Sequence, residues 1–447
     1  MKNSTGLLLV IAFFFTACST QRSISKQAQR TILHDSTLQH AHIGISIYDP
    51  ATSKYFYNYQ GDKYFVPASN TKIVTCYAAL KYLGDSLTGL YYGENDTALY
   101  LIPAADPTLL HPDFKRQPVI DLLQRTKKPL YITDKNWQST ALGNGWSWGD
   151  YNEYYMTERS PLPVYGNVIR WVQENNSDKP VTDNIFDRSP SIYSDPEVNW
   201  KVRFNTDTSK KYFYVQRSRD ENVFLISQGQ EKKKEQLVPF VTNGLQSALE
   251  LLPDTIGKQV LPIQFPRKFD LSLRAIHSQP TDSLLRPMMY NSDNFFAEQT
   301  LLMVSNQVLR MINDRKIIDT LLKSDLRDLP QPPRWADGSG LSRYNLFTPQ
   351  SFVGILHKMQ QEFGMDRLKH ILPTGGKGTL GNFYKQDSGY IYAKTGTLSG
   401  VVALSGFLYT KANKLLIFSV LVNNHAGSAV AIRRQVEAFL TGIRKKY

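Results

Sequence analysis

The chain has 447 residues, enough for two or three domains, each with its own core. It carries 52 Lys and Arg against 39 Asp and Glu, a formal net charge of +13 that suits work near anionic envelope polymers or membranes. No nucleic-acid motif accompanies that charge, no internal repeat is present, and beyond the N-terminus no apolar stretch is long enough to span a bilayer.

Residues 1–17 read as a targeting segment. Lys2 supplies the positive start, and Gly6 to Phe15 form an apolar run too short to cross a bilayer as a stable helix. Thr16-Ala17-Cys18 then looks like a lipoprotein-type signal with lipid on Cys18, an ordinary signal peptide cut nearby being the other reading. Either cut removes one charge, Lys2, and leaves +12. The mature protein is thus expected outside the cytoplasm, in the periplasm. Ser19 after the cysteine lacks the aspartate that retains some lipoproteins at the inner membrane, which favours the outer one. With Cys18 lipidated, no second cysteine is left to form a disulfide with Cys76, so the fold cannot rest on an internal disulfide, and Cys76 is expected to pack as a small apolar residue.

Residues 19–36 read as a tether leading into a first helix. Ile43, Ile45 and Ile47 alternate with smaller or polar residues, the mark of a half-buried strand; Asp49-Pro50-Ala51-Thr52 supplies a turn, and Tyr55 to Tyr59 returns as its partner. After Pro67 a helix opens at Ser69 and runs through Ile73, Val74, Tyr77 and Leu80. From 88 to 267 the texture changes to Tyr, Trp, turn residues and short β-like runs such as Tyr212 to Val215 and Val223 to Ile226, an inserted, mainly β region. Lys232-Lys233-Lys234 within it reads as a solvated hairpin or loop. Helical patterning resumes at Ser283 and continues to about Asn313. Ala403–Tyr409 and Leu415–Val422 look like adjacent buried strands, and Val436, Phe439, Leu440 and Ile443 mark a last amphipathic helix. One sheet is therefore expected from the two ends of the chain, residues 18–87 and 268–447, with the middle looped out.

Three motifs fall in order: Ser69-Asn70-Thr71-Lys72, Ser292-Asp293-Asn294 and Lys394-Thr395-Gly396-Thr397. They make the S-x-x-K, S-D-N and K-T-G set of serine enzymes that acylate on β-lactams and D-alanyl peptides. A serine hydroxyl needs a base within hydrogen-bond reach, and Ser69 and Lys72, three apart at a helix start, share a face at the positive end of its dipole. Lysine acts as a base only when burial and neighbouring cations pull its pKa down, and Lys394 is the natural second cation. Ser292 would shuttle a proton from Lys72 towards the leaving group, and Asn294 would hold Lys72 and the substrate amide. Gly396 clears room for a peptide beside the strand, while Thr395 and Thr397 offer hydroxyls to a terminal carboxylate. The N–H groups of Ser69 and Thr397 would form the oxyanion hole. Singly, each motif could be a helix cap, a helix-face amide or an edge turn; jointly they read as a site.

Pro67 to Lys72, Asn291 to Glu298, Asp337-Gly338-Ser339-Gly340-Leu341-Ser342-Arg343 and Ala393 to Leu398 closely resemble the D-alanyl-D-alanine carboxypeptidase/endopeptidase family, the type-4 low-molecular-mass penicillin-binding proteins. The similarity extends to Ala105 to Thr108, Trp146 to Tyr155 and Gly378-Thr379-Leu380. It implies an α/β, penicillin-recognising transpeptidase/β-lactamase-like domain, an antiparallel sheet flanked by helices plus a helical subdomain, with the insert after the S-x-x-K helix. It also implies removal of the terminal D-Ala from peptidoglycan peptides, or cleavage of the D-Ala–diaminopimelate cross-link, through an acyl-enzyme on Ser69. Family members place an acidic residue of the insert beside the cleft to meet the amine of a diamino acid. Asp150 is the candidate, a solvated loop aspartate being the alternative. No cofactor or metal is called for, and the expected partners are peptidoglycan peptides and β-lactams.

Other signals are weaker. Gly145-Trp146-Ser147-Trp148-Gly149 matches a nucleophile elbow, but a polar loop stands where the preceding strand should be. His40 and His42 lack a ligand-spaced partner, so they read as strand-edge histidines. Asp337 and Arg343 suit a loop-shaping role, and Trp146, Trp148, Tyr151 and Tyr155 suit core packing, stacking on sugars being the other reading. A β-lactamase, which needs a group that activates water for deacylation, and a silent wall-binding lipoprotein, which has no need of Lys72, are the rival functions.

Overall fold

The computed structural model describes residues 22–174, 191–205, 211–264 and 272–447. The expected targeting segment, residues 1–17, and Cys18 lie outside the described residues. The chain divides into two compact units: Met1–Leu80, Leu285–Asp293 and Ile318–Tyr447 form one, Lys81–Leu284 and Asn294–Ile317 the other.

The first unit begins with helix α1, residues 22–28, which runs on into a π turn, Gln29–Leu33. Strands β1 (His42–Asp49) and β2 (Lys54–Tyr59) follow, then a 3-10 turn, Ala68–Thr71, that opens helix α2 (Lys72–Tyr82). The second unit holds β3 (Ser86–Glu94), β4 (Leu99–Pro103), α3 (Pro118–Arg125) and β5 (Leu130–Ile132). It continues with β6 (Val168–Glu174), β7 (Ser191–Asp195), β8 (Lys201–Phe204), β9 (Tyr214–Arg217), β10 (Val223–Ser227) and β11 (Lys233–Pro239). Helix α4 (Gln246–Ile256), β12 (Val260–Pro262) and β13 (Arg274–Pro280) complete its run. These strands make three sheets, in orders β12-β5-β4-β3-β13, β11-β6-β7 and β8-β10-β9. Trp171, Phe213, Phe224 and Phe240 join Leu90, Leu101 and Ile132 in one apolar core. Lys233 and Lys234 are exposed at the start of β11 rather than in a loop, Lys233 holding Glu174 across the β11–β6 pair at 2.7 Å.

The helical stretch expected from 283 to 313 is two helices, α5 (Thr281–Tyr290) and α6 (Asn294–Leu309), parted by the S-D-N segment. Helices α7 (Asp314–Lys323) and α8 (Pro349–Ile371) follow. Thr348 caps α8 by accepting from Ser351 N, with proline at the first helical position, where its missing N–H costs nothing. The chain closes with β14 (Ile391–Leu398), β15 (Val401–Tyr409), β16 (Leu415–Asn423) and α9 (Ala429–Lys446).

Both ends of the chain build one antiparallel sheet, in the order β14-β15-β16-β1-β2. Ile43, Ile45 and Ile47 pack with Val402, Leu404, Val420 and Val422, and with Ile432, Val436 and Phe439 of α9. The other face is buried as well, because a Cβ at Gly44 would meet Phe65 and Pro349 of the α8 cap. β1 is therefore buried on both faces, where alternation alone suggested one. Among the described residues no helix is long and apolar enough to cross a membrane.

Candidate active site

Ser69 lies in the 3-10 turn ahead of α2, not in the α-helix itself. In a 3-10 turn side chains three apart eclipse. Ser69 Oγ therefore stands under Lys72, whose Nζ donates to it at 3.0 Å and to Ser339 O at 2.8 Å. Lys72 is fully buried, whereas Ser69 stays partly exposed and open to a substrate.

Neighbouring elements hold this turn from several sides. Asn423, at the end of β16, accepts from Val66 N at 2.7 Å and donates to Val66 O at 3.0 Å. Phe65 and Phe347 exchange backbone hydrogen bonds at 2.8 and 3.0 Å. Asp337, wholly buried, accepts from Gly340 N, Ser342 N and Asn345 Nδ2 at 2.6–2.8 Å, which folds the D-G-S-G-L-S-R loop and aims Ser339 O at Lys72. Gly340 has φ of +83°, and a Cβ there would fall 1.9 Å from Ala68 O, so only glycine fits beneath the turn. Arg343 donates to Ser399 O, just past the K-T-G strand.

Lys394 enters from β14, also fully buried, and its Nζ donates to Ser292 Oγ and to Thr395 O, each at 2.8 Å. Burial first, then the charges of Lys72 and Arg433, push its amine well below the ordinary lysine value. Ser292 sits at φ +61°, a left-handed conformation rarely adopted by serine, between α5 and α6. Asn70 joins two motifs: with its amide oriented to satisfy both neighbours, Nδ2 donates to Lys394 O at 2.8 Å and Oδ1 accepts from Ser405 Oγ at 2.7 Å. A Cβ on Gly396 would lie 2.6 Å from Pro67 O and 3.1 Å from Ser69 N, so the strand runs tight against the serine turn. Thr395 is buried and Thr397 exposed.

Ser69, Lys72, Ser292 and Lys394 thus come together within the first unit, as do Thr395, Gly396 and Thr397. Asn294 opens α6 in the second unit, where its Nδ2 donates to Tyr155 O at 2.9 Å. Asp150, in a 3-10 turn of the same unit, faces Tyr155, and burial with the Asp150 and Glu153 carboxylates pushes that phenol up. Sequence reasoning missed Asn70, Asn423 and Arg433; the asparagine inside the first motif was the visible signal, the other two having none. Of the decoys, Gly145 to Gly149 has no strand before it, and His42 stacks on Phe65 at 4.0 Å. Trp148 is 74% exposed, so it is not a core residue as expected.

The D-alanyl-D-alanine carboxypeptidase of Actinomadura sp. (strain R39) is 25% identical over 451 residues, covering 89% of this chain and 80% of that protein. The crystal structure of penicillin binding protein 4 (dacB) from Haemophilus influenzae superposes with a TM-score of 0.72 at 20% identity, over 95% of this chain and 99% of that one. A predatory peptidoglycan endopeptidase from Bdellovibrio bacteriovorus shares the fold at a TM-score of 0.51 and 14% identity, over 91% and 95% of the two chains. The family model described as D-Ala-D-Ala carboxypeptidase 3 (S13) matches residues 25–443, nearly everything that carries the sheet, the insert and the three motifs, and the chain belongs to that family.

Proposed function

We propose that this serine-type D-Ala-D-Ala carboxypeptidase acts on peptidoglycan stem peptides through an acyl-enzyme on Ser69, and cleaves D-Ala–diaminopimelate cross-links by the same route. The observation that carries the reading is the 3.0 Å contact between Ser69 Oγ and the buried Lys72 amine, beside a second buried lysine. Two ammonium groups in one desolvated cleft repel, so the pair holds one proton at lower cost than two. The neutral amine at Lys72 takes the Ser69 proton as Oγ attacks the penultimate D-Ala carbonyl. The N–H groups of Ser69 and Thr397 stabilise the oxyanion, a contribution of about 3–4 kcal/mol per donor. Ser292, held by Lys394, passes its proton to the departing amine and takes in its place the one that Lys72 received, which leaves Lys72 neutral again. Water then hydrolyses the ester, its proton returning through the same lysine. By the family resemblance, Asn294 is assigned to the substrate amide and Asp150 to the amine of the diamino acid at the third peptide position.

Relatives support this reading. The Haemophilus penicillin binding protein 4 has been crystallised with a β-lactam, and the Bdellovibrio structure is that of an endopeptidase. Incubation with peptidoglycan fragments should remove one D-Ala from pentapeptides and split cross-linked dimers, both read as mass changes. Intact fragments after prolonged incubation would refute the assignment. Rapid turnover of nitrocefin without a lasting adduct would favour a β-lactamase.

The apolar run from Gly6 to Phe15 ending in Thr16-Ala17-Cys18 supports a lipid anchor on Cys18, facing the periplasm from the outer membrane. Mass spectrometry of the mature N-terminus should find a diacylglyceryl cysteine, and Cys18→Ala should release the protein into the soluble fraction. A free thiol at position 18 would refute the anchor.

A further inference from the structure

Within the second unit lies a cleft that no step of the chemistry above uses. Trp148, Tyr151, Glu158, Arg217, Asp220 and Asn243 line it, and its volume of about 410 Å³ falls in the range of small-ligand sites. Asp150, assigned to the diamino acid, is not among the lining residues. Strand β9 fixes the parts. It is an edge of its sheet, and Asn152 closes that edge: Oδ1 accepts from Arg217 N at 2.8 Å and Nδ2 donates to Val215 O at 3.1 Å. Gln216 Nε2 donates to the Tyr151 hydroxyl at 3.2 Å, and the Arg217 guanidinium lies 5.6 Å from the Tyr151 ring centroid. Phe213 and Val215 belong to the core, and Tyr212 and Tyr214 alternate with them to stand exposed. Aromatic rings therefore continue from Tyr151 along β9.

Charge in the cleft is balanced. Arg217 pairs with Glu158 at 3.4 Å and Arg219 with Asp220 at 3.0 Å, two cations against two carboxylates. An ionic ligand finds no net charge here, and a purely apolar one would strand these groups without water. A neutral molecule with an apolar face and a polar edge fits. Trp148 and Tyr151 offer ring faces, while Asp220, Asn243 and Arg219 offer hydrogen-bond acceptors and donors. A sugar ring has that two-sided character, with C–H groups on its faces and hydroxyls around its edge. The further rings of Tyr214 and Tyr212 suit a chain of sugars rather than a single one.

We propose that this cleft and the β9 rings bind the amino-sugar strand of peptidoglycan, apart from the peptide chemistry at Ser69. The choice of peptidoglycan among sugar polymers rests on the carboxypeptidase reading, because the stem peptides hang from that strand. With each stem peptide joined through an amide, the sugar strand is itself uncharged, and its acetamide groups add donors and acceptors to the hydroxyls. Holding the strand keeps its peptides at a high effective concentration.

The test sediments insoluble peptidoglycan with Ser69→Ala protein, which leaves the polymer uncut, alone and combined with Trp148→Ala or Asp220→Ala. Both of these side chains are largely exposed, so neither change threatens the fold. Ser69→Ala should co-sediment, and a soluble N-acetylglucosamine tetramer should displace it. Trp148→Ala should weaken binding about tenfold or more and Asp220→Ala about threefold, while Trp148→Phe, which keeps a ring, should retain most of it. With Ser69 intact, kcat/KM for a soluble pentapeptide should be the same in Trp148→Ala as in wild type. Binding that the tetramer cannot displace, or that Trp148→Ala leaves intact, overturns the proposal. An equal loss of pentapeptide cleavage in Trp148→Ala overturns it too, by placing the ring in the peptide chemistry. Wild type that leaves the pentapeptide whole, while displacement and the Trp148 effect hold, defeats the carboxypeptidase reading and upholds the sugar site.

Discussion

A lysine amine with no solvent exposure is destabilising while it carries its proton, and the described residues include two, Lys72 and Lys394. For Lys394 the consequence has a definite sign. Its pKa in the folded chain lies well below the ordinary 10.5, mainly through burial, with Lys72 and Arg433 adding to it. Between that lowered value and 10.5 the unfolded chain binds a proton the folded chain has released. Stability therefore rises with pH across this window on account of Lys394. Lys394→Met removes the group from both states. Its stability relative to wild type, measured by urea unfolding, should be most favourable at the acid end of this window and decline as pH rises. A difference that stays flat with pH would mean that Lys394 carries no such penalty. The variant should be catalytically dead whatever its stability, as expected where a site stores strain and unfavourable charge.

At the scale of elements, the site is a 3-10 turn wedged between an edge strand and a buried loop. Gly340 makes the wedge possible, and Gly340→Ala should push Ala68 and hence Ser69 out of place. Strain of about 1–3 kcal/mol is expected in urea unfolding, and a displacement near 1 Å should lower kcat by about a hundredfold. Wild-type kcat and stability in this variant would show that the loop does not brace the serine. Much of this level was legible beforehand. The alternation of Ile43, Ile45 and Ile47, and the apolar runs around Leu404 and Val420, marked strands from both chain ends, because a core-facing sheet writes itself into hydrophobic pattern. The left-handed Ser292 was not legible, since a positive φ at serine leaves no mark in composition. Nor was the link from Asn70 to Lys394 O and Ser405, which needs the register that places Lys394 opposite Ser405. The place of Arg433 was not legible either, because only the packing of α9 on the sheet sets it beside Thr397.

Across the whole molecule, the two units rely on different cements. The first unit is bound mainly by its apolar sheet core. The second adds a buried charge cluster: Arg159, 1% exposed, holds Asp314 at 2.8 Å and Glu298 at 3.3 Å and donates to Thr140 O and Leu142 O. Burial works to raise the Asp314 pKa, but the Arg159 charge and hydrogen bonds from Arg159, Arg315 N and Ser139 outweigh it and hold it below 3.8. That contribution is present above the ordinary carboxylate value and is lost as pH falls through the lowered one. Arg159→Met leaves two buried carboxylates without their cation, so a loss of about 3–5 kcal/mol is expected, with acid unfolding moved to higher pH. An unchanged acid limb would contradict the assignment of this cluster. The account as a whole stands on the hydroxyl of Ser69 being the group that is acylated. Treatment with penicillin, digestion and mass spectrometry should find the drug's added mass on the peptide containing Ser69, and no adduct in Ser69→Ala. An adduct on any other residue, or undiminished labelling of that variant, would contradict it.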